Sequence, residues 1–244
     1  MSVTILGITY KIDKNFKLDL RYTNLTILPT NICNFTQLKG LYLSCGKLTV
    51  VPEAIGNLIN LRVLHLIDNN LTVIPDTIGN LTQLQILRLN KNKLSVVPDT
   101  ISNLILLRKL YLDNNNLTII PDTIGNLTHL EILRLNKNKL TVVPDSIGNL
   151  TQLQKIYLGN NNLTIIPSNY KKIKHTLNIT SNSYQINNLN LECEFIIINN
   201  LNEPLQNLPF NLKEIWLYKP LISLDKIKIP FACNLYIDDI IQKI

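Results

Sequence analysis

The sequence predicts an α/β solenoid: short strands stacked in parallel into one curved sheet, with short helical or 3-10 segments on the opposite side. Three observations carry that prediction. The 244-residue chain aligns on itself with a 23-residue period, in units starting at Asn15, Leu38, Leu61, Leu84, Leu107, Leu130 and Leu153. Within each unit, apolar residues first recur two apart, as Leu87 and Leu89 do, the spacing of inward positions on a strand. They then recur three apart after a proline, as Ile101 and Leu104 do after Pro98, the spacing of one helical turn.

Residues 1–14, with the stretch "VTILGITY", are expected to form an N-terminal cap, because the first repeat would otherwise expose its core and a strand edge. Residues 15–173 hold seven units. In the unit from Leu84 the apolar set is Leu84, Leu87, Leu89, Leu94, Val97, Ile101 and Leu104, and the same offsets are apolar in nearly every other unit. One unit cannot bury that face alone, but a stack makes a continuous core. Pro29, Pro52, Pro75, Pro98, Pro121, Pro144 and Pro167 are placed to open the helical segments, where a fixed φ helps and a missing N–H costs little. An acid follows most of them, such as Asp76, Asp99 and Asp122, and suits a positive helix N-terminus.

The register LxxLxLxxNxLxxxPxxIxxLxx, seen in "LRVLHLIDNNLTVIPDTIGNLTQ" and "LRKLYLDNNNLTIIPDTIGNLTH", resembles leucine-rich repeats, most closely the intracellular Ras-group class with its "LP" or "IP" step. The resemblance implies a horseshoe with the parallel sheet on its concave face. It also implies a buried ladder of asparagines bonded to neighbouring backbone groups. Here the ladder would be Asn69, Asn92, Asn115, Asn138, Asn161 and Asn182, since an amide offers both donors and an acceptor. Thr23 and Gly46 stand in its place in the first two units, where the ladder should be looser.

Residues 174–244 change wording. "HTLNITSN", "FIIINN", "LKEIWLYKP" and "CNLYIDD" each keep a strand core, at steps of about 19 to 20 residues by the leucine and isoleucine spacing. "LPFNLKEIWL" and "IPFACNLYI" resemble the shorter LPxxLxxLxL repeat class. The reading is one solenoid running on through shorter irregular repeats to a C-terminal cap at "YIDDIIQKI"; the alternative is a small separate domain that begins near Asn182 to Asn190.

Composition narrows the function. With 45% hydrophobic residues the chain can build a large core, and 24 basic against 17 acidic residues leave a net charge of +7, which permits anionic partners without requiring them. The start lacks the features of a secretory signal, and no apolar run is long enough to span a membrane. Cys33, Cys45, Cys193 and Cys233 lie far apart, with no CxxC pair, which favours reduced thiols in a cytoplasm-like compartment over disulfides or zinc. Asn-x-Thr sequons recur at two fixed places per repeat, so copying explains their number. The abundance of Asn, Ile and Lys fits an A+T-rich genome, such as that of a protist or a large DNA virus, in which case the compartment would be the host cytoplasm.

In the implied geometry the side chains between the buried leucines leave the concave sheet. That position reads Asp19, Tyr42, His65, Arg88, Tyr111, Arg134, Tyr157, Asn178, Ile197, Trp216 and Tyr236, and two residues on come Arg21, Ser44, Ile67, Asn90, Asp113, Asn136 and Tyr218. Tyr, Trp and Arg are the types enriched in binding hot spots. The expected contacts are therefore Tyr42, His65, Arg88, Tyr111, Arg134 and Tyr157, with Asp113, Trp216 and Tyr218 beside them, and the expected function is a non-enzymatic module that binds another protein. The alternative is an anion-binding module for nucleic acid or acidic lipid, built on Arg88, Lys91, Lys93, Arg134, Lys137 and Lys139 with the tyrosines between them. "LRLNKNKL" occurs at 87–94 and again at 133–140, and duplication of a two-repeat block preserves exposed letters as readily as function does. No phosphate loop, HExxH or cofactor motif is present. The best catalytic constellation, Ser44 or Cys45 near His65 and Asp68, is spread over neighbouring strands, with Ser44 about 8 Å and Cys45 about 11 Å from His65 by strand spacing.

Overall fold

The computed structural model describes residues 1–163, the strands 176–180 and 195–199, and residues 208, 212–218, 220, 223, 227–230, 232–238 and 240–242. Two strands, β1 (Ser2–Ile5) and β2 (Ile8–Lys11), form an antiparallel hairpin. Leu6 and Gly7 close it with φ values of 49° and 80°. Two successive left-handed residues are what a tight hairpin turn needs to match strand twist. Val3, Ile5 and Ile12 from this cap join the core and cover its first repeat.

Among the described residues the main sheet has twelve strands in sequence order: β3 (Lys17–Asp19), β4 (Gly40–Tyr42), β5 (Val63–His65), β6 (Ile86–Arg88), β7 (Lys109–Tyr111), β8 (Ile132–Arg134), β9 (Lys155–Tyr157), β10 (Thr176–Thr180), β11 (Phe195–Asn199), β12 (Glu214–Tyr218), β13 (Asn234–Ile237) and β14 (Ile240–Gln242). All pair in parallel except β14, which turns back antiparallel on β13 and closes that edge. From β3 to β9 each residue pairs with the one 23 positions on, as Leu87 does with Leu110. Beyond β9 the steps shorten, Lys155 pairing with Thr176, Thr176 with Phe195, Phe195 with Glu214 and Glu214 with Asn234.

Between strands the chain makes five-residue 3-10 turns, at Thr30–Asn34, Glu53–Asn57, Asp76–Asn80, Asp99–Asn103, Asp122–Asn126 and Asp145–Asn149. Proline plays a slightly different part from the one expected. Pro29 to Pro144 stand just before each turn in extended conformation, with φ between −62° and −70° and ψ between 130° and 152°. Each lends its carbonyl to the isoleucine N–H three residues on, at 2.9–3.1 Å. Proline thus sets the entry angle and accepts the first bond, while the next residue, usually acidic, begins the turn. Pro167 lies outside the described residues.

The core is one column of leucines, isoleucines and valines, most with no exposure at all, running between the sheet and the 3-10 turns. The asparagines at the end of each strand hold adjacent repeats together. Asn69, Asn92, Asn115, Asn138 and Asn161 each accept an N–H from the preceding repeat at 3.0–3.1 Å, from Leu48, Leu71, Leu94, Leu117 and Leu140 in turn. Each also donates to two leucine carbonyls at 2.8–3.1 Å, one in its own repeat and one in the repeat before. At the first unit Thr23 bonds only the carbonyl of its own repeat, Leu20, at 2.8 Å. At the second, Gly46 leaves room that Asn69 fills, since a Cβ there would sit 2.7 Å from the Asn69 amide oxygen. Asn182 lies outside the described residues.

The residue before each ladder position is left-handed. Tyr22, Cys45, Asp68, Lys91, Asn114, Lys137 and Asn160 all have φ between 55° and 62°. That sharp bend ends the strand and swings the asparagine inward; asparagine and aspartate tolerate it well, lysine and tyrosine less so.

Candidate functional site

Strand pairing places the predicted concave residues in a single row. Asp19 pairs with Tyr42, Tyr42 with His65, His65 with Arg88, Arg88 with Tyr111, Tyr111 with Arg134 and Arg134 with Tyr157. The row continues through Asn178 and Ile197 to Trp216 and Tyr236. Parallel pairing in register makes this unavoidable: each residue's backbone sits one strand spacing, about 4.8 Å, from the next.

The side chains in the row grip one another. The Arg88 guanidinium lies 4.7 Å from the centre of the Tyr111 ring, and that of Arg134 lies 5.4 Å from Tyr111 and 4.6 Å from Tyr157. Cations over ring faces at these distances attract the ring quadrupole. The row is therefore a prearranged ladder of alternating guanidinium and phenol, half-buried along its length. Arg88 and Arg134 each bury Nε without a hydrogen-bond acceptor among the described residues. At the far end Trp216 stacks on Tyr236 with ring centres 4.1 Å apart, and its indole N–H donates to Glu214 at 2.8 Å. Tyr218 is on the same strand, but its side chain lies outside the described residues.

The N-terminal end of the row is more polar. Arg21 grips Asp19 through two nitrogens, with Nη2 2.6 Å and Nε 2.9 Å from the carboxylate. This hydrogen bonding holds the Asp19 carboxyl below its usual range. His65 meets the Tyr42 ring edge-on at 4.9 Å between centres. Burial, helped by the charges of Arg88 and Arg21, pushes the imidazole pKa down to about 4. At neutral pH His65 is thus an uncharged, half-buried ring rather than an open histidine. The sign of the pH effect follows. An unfolded histidine takes its proton near pH 6.5 and the folded His65 only near 4, so stability declines as pH falls between those values. His65→Gln should flatten that part of the difference curve, measured by urea unfolding at a series of pH values.

Two expected contacts turn out to be shut in. Asp113 is only 7% exposed; its Oδ2 accepts from the Asn114 amide at 3.0 Å, while Oδ1 is buried with no hydrogen-bond partner. Ser44 is 4% exposed, and its hydroxyl is also without a partner, so the Ser44–His65 bond that a triad would need is not made. Elsewhere in this second row Ile67, Asn90 and Asn136 are half-buried and Arg21 is exposed, so the burial of Ser44 and Asp113 is particular to those two short side chains. No cluster of three or more metal-ligating side chains occurs among the described residues. There too, no helix is long and apolar enough to cross a membrane.

Comparison with known proteins agrees with this geometry. The family model described as "Leucine-rich repeat region" matches residues 17–114 and 98–203. The chain is a leucine-rich repeat protein. No curated protein sequence matches it. Among solved structures, a leucine-rich repeat protein of Leptospira interrogans is 30% identical with a TM-score of 0.67, over 92% of this chain and 68% of that one. The plant peptide hormone receptor RGFR1, solved in complex with RGF2, is 25% identical with a TM-score of 0.65, over 93% of this chain and 39% of the receptor. The leucine-rich repeat ectodomain of the Arabidopsis thaliana receptor kinase GASSHO1/SCHENGEN3 is 22% identical with a TM-score of 0.68, over 94% of this chain and 37% of that one, and shares the fold.

Two surface features of this leucine-rich repeat protein are absent from the sequence reading. Ile27, Val50, Val73, Val96, Ile119 and Val142 form an exposed apolar row, one per repeat, just before the buried residue that precedes each proline. The signal was present in the recurring "VIP", "VVP" and "IIP", where only one of the two aliphatic residues faces in. The second is a set of unpaired cations at the N-terminal end, whose residues are far apart in sequence.

Proposed function

We propose that the protein is a non-enzymatic intracellular scaffold that binds an extended segment of a partner protein along Tyr42, His65, Arg88, Tyr111, Arg134 and Tyr157, with Trp216 and Tyr218 extending the contact. The observation that carries the reading is the ladder of Arg88, Tyr111, Arg134 and Tyr157, with three guanidinium-to-ring distances between 4.6 and 5.4 Å. Those side chains hold each other in place, so a partner orders little that is not ordered already, and preorganisation raises affinity. Aromatic and arginine side chains are also the types that dominate measured binding energies. The complex of the receptor RGFR1 with RGF2, on a related solenoid, supports a peptide-like ligand. Cys33, Cys45 and Cys233 are free, which suits a reducing compartment.

A second reading, anion binding by the same face, draws on Lys91, Lys93, Lys137 and Lys139, all exposed. Salt separates the two. Phosphate binding by several cations weakens steeply with ionic strength, whereas a contact led by aromatic rings does not. The experiment is affinity capture from nuclease-treated lysate at low and high salt, with wild type and Arg88→Ala/Tyr111→Ala/Arg134→Ala. The triple variant should keep the wild-type melting profile, because none of the three side chains is in the core, yet lose its specific partner. Equal capture by both proteins would place the site elsewhere, and capture abolished by salt alone would favour the anion reading.

A further inference from the structure

The rim of the solenoid at its N-terminal end holds a second feature, whose lining residues are distinct from those of the concave row. A cavity of about 520 Å³ opens there between the cap and the first four repeats, and four cations line it: Lys14, Lys17, Lys39 and Arg62. No carboxylate lines it. The nearby Asp13 is occupied as a turn cap, its Oδ1 accepting the N–H groups of Asn15 and Lys17 at 2.8 Å each.

The backbone explains why the cations converge. Lys39 donates its N–H to Phe16 at 2.8 Å, Arg62 to Lys39 at 2.9 Å and Gln85 to Arg62 at 2.8 Å, which fixes these residues as one row along the entry edge of the sheet. Further along that row Arg108 has an acid, Glu131, at 3.0 Å. The N-terminal end has none. The Lys39 ammonium rests 5.2 Å from the centre of the Phe16 ring, which lines the cavity beside it. Gly40 makes the remaining room. Where the next repeats have Val63 and Ile86, a Cβ at Gly40 would lie 3.0 Å from the Lys17 side-chain stem.

We propose that this cavity binds a ligand with clustered phosphates, either a soluble polyphosphate or a multiply phosphorylated lipid head group. Four like charges drawn together without a counter-charge repel one another, and an anion with several charges removes that repulsion while taking charge-assisted hydrogen bonds. A cavity of this size falls within the range of small-ligand sites, which run from about 300 to 1,000 Å³. The apolar wall of Phe16 and Val63 suits the carbon skeleton of such a ligand. Monophosphate, with fewer charges, should bind far more weakly.

The test is calorimetric titration of the full chain with sodium tripolyphosphate, using Lys39→Gln/Arg62→Gln beside a control, Lys137→Gln/Lys139→Gln, that removes equal charge elsewhere. Affinity should fall on the order of tenfold or more in the first and stay near wild type in the second. Gly40→Ala, which alters no charge, would bring a methyl to 3.0 Å from the Lys17 stem and 3.1 Å from the Tyr42 ring, so it should weaken tripolyphosphate binding through Lys17 while also disturbing Tyr42 of the concave row. Vesicles of phosphatidylcholine with a phosphoinositide bisphosphate, set against vesicles with phosphatidylserine at matched charge, identify the source. Selective capture by the phosphoinositide vesicles, lost in the first variant, assigns the phosphates to a membrane lipid, and tripolyphosphate binding without it assigns them to a soluble ligand. No binding of either probe, or equal loss in both double variants, overturns the proposal. The triple variant of the concave row should bind tripolyphosphate as wild type does, so failure of one site leaves the other standing.

Discussion

Leu110→Ala is expected to destabilise the protein by about 2–5 kcal/mol, read as a lower urea midpoint. Leu110 is the central residue of β7, fully buried, with Leu87 and Leu133 as its Cα partners on the two adjacent strands. Truncation removes methyl groups from contact with both neighbours. The cavity has little chance to collapse, because backbone bonds on each side hold the strands at a fixed spacing. Leu110→Met, which keeps the volume, should cost less than about 1.5 kcal/mol. Val96→Ala makes the contrasting test. Val96 is equally aliphatic and recurs with the same period, but it is 44% exposed, and its loss should be nearly neutral. If both alanine variants cost the same, hydrophobicity alone and not register would be setting stability. Each repeat touches only its neighbours, so the defect at Leu110 also divides the solenoid near its middle, and the unfolding transition should broaden.

Much of this architecture was legible because two periods lie on top of each other. Alternation along a strand separates Leu87 and Leu89 from Arg88, and the 23-residue repeat then carries that assignment unchanged from β3 to β9. The row from Asp19 to Tyr157 follows from those two numbers without any knowledge of side-chain contacts. What lay beyond them was whatever depends on torsion angles or on segments outside the repeat. The left-handed residues at Tyr22, Cys45 and Lys91 share no residue type that would announce them. Nor does alternation show that Asp113 and Ser44 are shut in while Arg21, Ile67, Asn90 and Asn136, at the same place in other repeats, are not. The fall in the His65 pKa depends on how closely Tyr42, Arg88 and Arg21 crowd the ring, which spacing does not reveal. The cationic cavity needs residues 13–17, where the chain leaves the cap and no period exists to read. Its decisive feature is Gly40, a departure from the repeat whose missing side chain matters only through the Lys17 stem beside it.

Asn115→Ala should cost about 2–6 kcal/mol: about 1–3 for the Leu94 N–H, which loses its side-chain acceptor, and about 0.5–1.5 for each of the Leu89 and Leu112 carbonyls, which lose one of their two amide donors and keep those of Asn92 and Asn138. Asn115 is 7% exposed. Its carbonyl accepts the Leu94 N–H at 3.0 Å, and its amide donates to the Leu89 and Leu112 carbonyls, also at 3.0 Å. Alanine removes all three bonds and is too short to let water in without opening the joint between repeats. Asn115→Asp separates the acceptor role from the donor role. The carboxylate keeps an oxygen for Leu94 but turns a negative charge on two carbonyls, so at neutral pH it should be worse than alanine. Its folded pKa would be raised above the ordinary value of about 3.9, and protonation supplies one donor. Stability of the Asp variant should therefore recover as pH is lowered through that raised pKa, while the alanine variant shows no such gain. A flat pH response would mean that the donors the two carbonyls keep, from Asn92 and Asn138, satisfy them fully, and that Asn115 joins repeats through the Leu94 N–H alone.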